Sequence, residues 1–255
     1  MRAVWAIAVN TFREAIRDRI LYLFVGFAVV MVVSSKLFGM LTVGDEAKII
    51  KDIGLASMQF FSMLIAVMMS MILISREVDN RTVFNILAKP VRRWQFILGK
   101  YLGLVAIVGA NLLLITIVLV FTVLATTGEL DPMLVFAAAM TMLEMLVLAA
   151  FATFFAVLTR PILGSLMTLA VFVVGHMSAD LWLLTRQLPG AATKVVVTVI
   201  YYLLPNLERF DFRTEVVHDL PIVPAAVSWA AVYAAAFVAV VLFLAHLRFR
   251  TKDLK

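Results

Sequence analysis

The chain has 255 residues, of which 64% are hydrophobic and only 15% are charged. A soluble domain typically has about 45–50% and about 25%, so the composition excludes a water-soluble globule. The length leaves room for five to seven membrane spans of about 20 residues, but not for an additional catalytic domain of about 100–150 residues. The formal net charge is +6, and the absence of cysteine excludes disulfides, thiolate metal sites and cysteine nucleophiles.

The segment Met1–Arg19 predicts an amphipathic helix, because apolar residues recur at steps of three and four and polar residues occupy the opposite face. The apolar positions are Trp5, Val9, Phe12, Ile16 and Ile20, and the polar positions are Arg2, Asn10, Arg13, Glu14 and Arg17. Such a helix is expected to lie along a membrane surface, with its arginines suited to anionic headgroups.

The remaining apolar stretches predict six transmembrane helices. They are Ile20–Val43, Gly54–Ser75, Tyr101–Thr127, Met133–Leu158, Ile162–Thr185 and Ile222–Leu247. We therefore expect an all-α integral membrane protein in which residues 1–255 form a single polytopic domain. An even number of spans puts both termini on one side of the membrane.

The basic residues indicate which side that is. Of the 22 Lys and Arg residues, 15 fall in the first segment, the loop Arg76–Lys100, the turn Thr159–Pro161 or the tail Arg248–Lys255. Because cytoplasmic loops are enriched in Lys and Arg, both termini are predicted to be cytoplasmic. The spread of these residues over four separate sites argues against a nucleic-acid partner.

The longest connection on the other side is Arg186–Pro221. Its apolar run Val195–Leu204 is too short to cross a bilayer and too hydrophobic to sit in water. We expect this run to re-enter the outer leaflet or to lie against the other helices, with Glu208–Asp219 as a polar rim.

The connection between the second and third spans predicts a short, partly apolar cytoplasmic helix. Asp79 or Asn80 can cap the start of this helix. Val83, Phe84, Ile86 and Leu87 give it an apolar side, and Lys89 and Pro90 end it. Arg92, Arg93 and Trp94 are expected to anchor the following helix at the headgroups. From these residues alone, the loop is either a basic interfacial helix or a lever, that is, a helix that a soluble partner binds and moves.

The stretch Ser75–Lys100 resembles the segment between the second and third spans in permease subunits of type-2 ABC exporters, the ABC-2 type transporter family. Those permeases carry an acidic residue after the second span, a short helix, a proline followed by basic residues, and a Gly-Lys at the start of the third span. The matching residues are Glu77, Pro90, Arg92, Arg93, Gly99 and Lys100. The six-span layout, the first helix and the long outer loop also resemble the family, so the resemblance covers essentially the whole chain.

This resemblance implies a coupling role for the loop. In the family, the helix after the second span docks into a separate ATP-binding subunit, and residues 80–88 match it, with the first helix as the connecting helix beside it. The implied ATPase-coupling residues are Glu77, Asn80, Arg81, Thr82, Phe84, Asn85 and Leu87. The interface anchors are Pro90, Arg92, Arg93, Trp94 and Lys100.

The resemblance also implies partners. We expect two copies of a P-loop subunit that binds ATP and Mg, a second permease protomer in a homodimer, and a place in the cytoplasmic (inner) membrane. The chain has no Gly-x-x-x-x-Gly-Lys-Ser/Thr motif, no paired carboxylates and no nucleophile elbow, so we expect neither an enzyme nor a bound cofactor. The expected function is ATP-driven export. The alternative is a non-transporting scaffold that recruits a cytoplasmic ATPase to an envelope, motility or cofactor-maturation complex.

Four polar residues lie deep in the predicted spans: Gln59, Asn111, Glu144 and His176. Glu144 and His176 are each 16 residues from Arg160 on consecutive antiparallel helices, and a rise of about 24 Å from that turn puts them at equal depth. We expect them to pair, and Asn111 of the third span is the candidate third partner. The pair has either a structural role or a substrate-facing or proton-handling role. None of the three histidines has metal-binding spacing, so no metal site is expected.

Gly99 and Gly103 predict a close helix contact at the start of the third span. The sequence leaves open whether the partner helix lies within the chain or in a second protomer.

Overall fold

The computed structural model describes residues 2–41, 45–79, 92–178, 183 and 191–251, and within these ranges all regular elements are helical. The helices are α1 (Arg2–Ile16), α2 (Arg19–Gly39), α3 (Glu46–Asp79), α4 (Arg93–Thr127), α5 (Met133–Leu158), α6 (Pro161–His176), α7 (Ala191–Leu203), α8 (Arg213–Val217) and α9 (Pro224–Thr251), with a 3₁₀ turn at Glu208–Phe210.

Five of these helices are long and apolar enough to cross a membrane, namely α2, α3, α4, α5 and α9. The prediction of a multi-pass helical membrane protein is therefore confirmed. Helix α6 is apolar but has only 16 residues, about 24 Å of rise, where a span needs about 20 residues. The predicted fifth span, Ile162–Thr185, continues into residues that lie outside the described part of the chain, so the count of six stays a prediction.

The bounds of two predicted spans are wrong by about two helical turns. Helix α3 begins eight residues before Gly54, and α4 begins eight residues before Tyr101. The prediction followed hydropathy, which falls where charged residues enter, whereas helical hydrogen bonding continues through such residues when their side chains find partners. The fourth predicted span, by contrast, coincides with α5, because Pro132 and Thr159 flank a predominantly apolar run in which Glu144 is the single charged residue.

The centre of the fold consists of α3, α4 and α5, which pack against one another. Helix α2 packs on α3 and α4, α6 on α5 and α3, and α9 on α5 and α4. Along α5 the consecutive residues Val147–Ala150 are all completely buried, and the small side chains of Ala149 and Ala150 let neighbouring helices approach closely. We call the end at which α3 ends and α4 begins the loop end of the bundle, and the opposite end the far end.

Helix α1 has a buried face of small side chains in addition to the apolar and polar faces that the sequence predicts. Its small face, made of Val4, Ala8, Thr11 and Ala15, is buried against the start of α4. A Cβ atom at Gly99 would lie 2.7 Å from Ile7 Cβ, and one at Gly103 would lie 2.6 Å from Thr11 Cβ. The two glycines therefore serve a contact within the chain, which answers the question that the sequence left open.

The segment between α7 and α9 covers the far end of α3 and α5. The predicted polar rim, Glu208–Asp219, is wrong in part, because Phe210, Val216 and Val217 are buried beneath it. The segment is tied to α6 where Leu207 N donates to Gly175 O at 3.0 Å. Helix α7 itself exposes five of its eight described side chains, namely Lys194, Val195, Val199, Tyr202 and Leu203. Its re-entry into a leaflet stays a prediction.

Candidate functional site

The predicted coupling residues fall largely outside the described part of the chain. Residues Asn80, Arg81, Thr82, Phe84, Asn85, Leu87 and Pro90 all lie there. Glu77 belongs to the last helical turns of α3, and only its backbone is described. What the structure describes is the frame on either side of this loop, which consists of the end of α3 and the start of α4.

Lys100 is the central residue of that frame. Its side chain is 2% exposed, which rules out the predicted contact with lipid headgroups. Lys100 Nζ instead donates to Leu73 O at 3.3 Å and lies 3.9 Å from Glu14 Oε2. A buried ammonium needs such partners because desolvation of an unpaired charge is costly. Lys100 thus joins α1, α3 and α4 at the base of the loop.

Arg93 is the second residue that the sequence assigned to the headgroups and that has protein partners in the structure. Its Nη1 donates to Phe249 O at 2.9 Å and to Arg250 O at 2.7 Å. These carbonyls belong to the last turn of α9, where helical carbonyls lack intrahelical donors and where a cation is favourable. Arg93 therefore attaches the start of α4 to the end of the last helix.

The two neighbours of Arg93 remain at the surface. Arg92 is exposed, and its backbone N–H donates a hydrogen bond to Gln95 Oε1 at 2.9 Å. Trp94 is 40% exposed. Their role as headgroup anchors stays a prediction, and both side chains are accessible for it.

The second candidate site is a polar cluster inside the bundle, formed by Gln59 of α3, Glu144 of α5 and His176 at the end of α6. Glu144 is completely buried, and its Oε2 accepts a hydrogen bond from Gln59 Nε2 at 2.8 Å. His176 Nε2 lies 2.9 Å from Gln59 Nε2 and 3.5 Å from Glu144 Oε1. The structure thus brings together the two residues expected at equal depth and adds Gln59 between them.

The hydrogen bonds of the polar cluster specify one tautomer of the histidine. His176 Nδ1 lies 3.0 Å from Phe172 O, an acceptor, so Nδ1 carries the proton. Its Nε2 is then an acceptor and takes the second amide hydrogen of Gln59. This assignment leaves Glu144 Oε1 without a hydrogen-bond partner among the described residues. A free acceptor at a completely buried carboxyl is unusual and marks the cluster as a functional candidate.

Asn111 lies apart from this cluster. Its Nδ2 donates to Ser62 Oγ at 3.1 Å, one turn along α3 from Gln59. The suggested third partner of the Glu–His pair is therefore Gln59 and not Asn111. The sequence contained a signal for this, since Gln59 is itself a polar residue in an apolar span. Hydropathy does not show which faces of α3 and α4 point towards α5.

A narrow cleft leads from the far end towards the polar cluster. Its walls are Leu55, Gln59, Ala137, Thr141 and the residues 210–213. The enclosed space holds about one water molecule. Two ion pairs join the covering segment to α3: Lys51 lies 3.5 Å from Asp219, and Arg213 lies 3.3 Å from Asp52. Lys51 also lies 2.6 Å from Asp131 in the turn between α4 and α5. Glu144 is thus buried below this cleft, whereas the side chain of His176 is 22% exposed.

No group of three or more His, Asp or Glu side chains in the described ranges is arranged to hold a metal ion. The polar cluster supplies one carboxylate, one imidazole and one amide, which suits hydrogen bonding between helices.

Comparison with known proteins agrees with the helical architecture. No curated protein matches the sequence. The sequence profile of the family described as ABC-2 family transporter protein matches residues 5–254, nearly the whole chain. The resemblance seen in the loop Ser75–Lys100 is thereby extended over all the helices described above, and the chain belongs to the ABC-2 family of transporter proteins.

Proposed function

We propose that the protein is the membrane-spanning permease of an ATP-driven exporter, and that a separate P-loop subunit binds residues 80–88. In this proposal ATP binding and hydrolysis occur in the partner, and the chain transmits the resulting movement to its spans. Both termini and the loop are on the cytoplasmic side of the inner membrane. Two such permeases and two ATP-binding subunits form the working assembly.

The observation that supports this proposal best is the rigid frame around the loop. Helix α3 continues as helix from Leu73 to Asp79, about 9 Å beyond the contact with Lys100, and α4 begins about 10 Å before the same residue. A loop held on two helical ends transmits displacement to both spans, whereas a loop on flexible connections would not.

The contacts of this frame give the movement a path. A displacement of α3 and α4 at the loop end acts on α1 through Lys100 and Glu14, and on α9 through Arg93. It also acts along α3 on Gln59, whose amide links α5 and α6 in the polar cluster. In this proposal a substrate route opens or closes at the polar cluster, between α3, α5 and α6.

The decisive experiment disrupts the binding of the P-loop subunit to the loop. Arg81→Glu combined with Phe84→Asp is expected to abolish co-purification of an ATPase subunit in mild detergent, because both a charge and an apolar contact are lost. Arg160→Glu is the matched control, since Arg160 is an exposed basic residue in the other turn of the loop end. Undiminished co-purification and ATPase stimulation in the double variant would refute the lever mechanism.

A vesicle assay separates this function from the scaffold alternative. The purified complex with its ATPase, reconstituted in sealed vesicles, is expected to move a substrate across the bilayer in the presence of ATP. A complex that hydrolyses ATP and retains its partner, but whose vesicles release or accumulate nothing from an extract of cellular solutes, would favour the scaffold.

A further inference from the structure

The exposed part of α1 combines an apolar face with two arginines. Trp5 is 71% exposed and Ile16 39% exposed, on a face about a quarter turn from the small face that packs on α4. Arg13 lies in the last turn of α1, on the side next to that apolar face, and Arg17 lies in the turn that follows α1. Both side chains are exposed.

The two arginines border an open cleft between α1 and the start of α2. Its lining consists of Asn10, Arg13, Glu14, Arg17 and Asp18. The two acidic residues in this lining have partners: Glu14 lies 3.9 Å from Lys100, and Asp18 Oδ1 accepts a hydrogen bond from Ile20 N at 3.0 Å. Arg17 N donates to Glu14 O at 3.2 Å, but the guanidinium groups of Arg13 and Arg17 have no hydrogen-bond or ion-pair partner among the described residues. The cleft therefore offers two guanidinium groups to an anion.

We propose that this cleft binds the headgroup of an anionic phospholipid, whose acyl chains lie against the apolar face with Trp5 and Ile16. The planar guanidinium group binds phosphate through two parallel hydrogen bonds, and here two such groups adjoin an apolar surface. An anionic amphiphile binds both the guanidinium groups and the apolar surface, whereas a soluble anion binds only the guanidinium groups. The location beside the beginning of α2, a membrane span, puts the cleft at headgroup level.

The site has a structural consequence for the loop end. Glu14 follows Arg13 directly and pairs with Lys100, which donates to Leu73 O at the base of the loop. A bound lipid holds the end of α1 at the interface and thereby keeps Glu14 beside Lys100. The lipid site does not depend on the proposed transport function, because it requires only that the chain lies in a bilayer.

Native mass spectrometry of the full-length protein tests the site. The protein in detergent receives equal amounts of phosphatidylglycerol and phosphatidylcholine with identical acyl chains. A basic residue near an anionic surface contributes about fivefold to binding, so the expected preference for phosphatidylglycerol at the tightest site is about 25-fold. Arg13→Gln with Arg17→Gln is expected to remove that preference, and Arg13→Gln alone to reduce it about fivefold.

Arg160→Gln is the matched control, as an exposed arginine at the same end of the bundle, and it is expected to leave the preference unchanged. Arg13→Lys with Arg17→Lys keeps the charge but loses the paired hydrogen bonds, so an intermediate preference is expected. Both altered side chains are exposed, and unchanged helicity by circular dichroism verifies the fold. The proposal is overturned if the double glutamine variant retains the preference, or if inorganic phosphate at millimolar concentration displaces the lipid.

Discussion

The contact between α1 and α4 supplies the sharpest test of the fold. We consider replacing Gly99 and Gly103 together by alanine. The added Cβ atoms would lie 2.7 Å from Ile7 Cβ and 2.6 Å from Thr11 Cβ, and both would lie 3.0 Å from backbone carbonyl oxygens of α1. Backbone cannot rotate aside as a side chain can, so α1 must move away by about 1 Å or more to reach ordinary contact distance.

The size of the effect follows from the added steric overlap. The gain in helix propensity of alanine over glycine does not offset it, because α4 is helical whether or not α1 is docked. Overpacking typically costs about 1–3 kcal/mol at each site, so the double variant should weaken the docking of α1 by at least about 2 kcal/mol, which is about 30-fold or more in the opening equilibrium. The matched control is Gly109→Ala in the same helix, where the new Cβ would meet only the mobile end of Met142 at 3.4 Å.

Limited proteolysis measures this opening. Trypsin cleaves after Arg13, which is inside α1, only when α1 leaves α4 and unfolds locally, and when opening is fast relative to cleavage the rate follows the opening equilibrium. Cleavage after Arg13 should be at least about 30-fold faster in the double variant and unchanged in Gly109→Ala. Equal cleavage rates in the double variant and the unmodified protein would refute the assignment of the glycines to α1.

Two further predictions concern buried polar contacts. Gln59→Leu leaves Glu144 Oε2 without its donor, at a cost of about 1–3 kcal/mol, and is expected to lower the Tm in detergent by about 5 °C; an unchanged Tm would contradict the bond. Lys51→Met leaves the mostly buried carboxylate of Asp131 without its closest cation, and we expect a similar fall in Tm. The double variant with Asp131→Asn should recover most of it, and a loss equal to that of Lys51→Met alone would refute a pairing between the two side chains.

Much of the architecture was accessible from local patterns. The bounds of α5 and the equal depth of Glu144 and His176 followed from hydropathy and from the constant rise of a helix, neither of which depends on packing. The starts of α3 and α4 were wrong because Lys51 and Lys100 read as the ends of spans. Both lysines belong to helices and are satisfied by carboxylates or carbonyls from other elements, which no local pattern reports.

By itself, the sequence determined that this is a membrane protein of the ABC-2 family, with a basic loop end and an amphipathic first helix, because composition, hydropathy and motif order are properties of the chain alone. Only the tertiary structure decided that Gln59 joins Glu144 to His176, that Gly99 and Gly103 receive α1, and that Lys100 faces protein instead of lipid. The physical reason is the same in all three cases. Each depends on which faces of distant helices meet, and a helical repeat fixes the spacing of residues on a face but not the partner of that face.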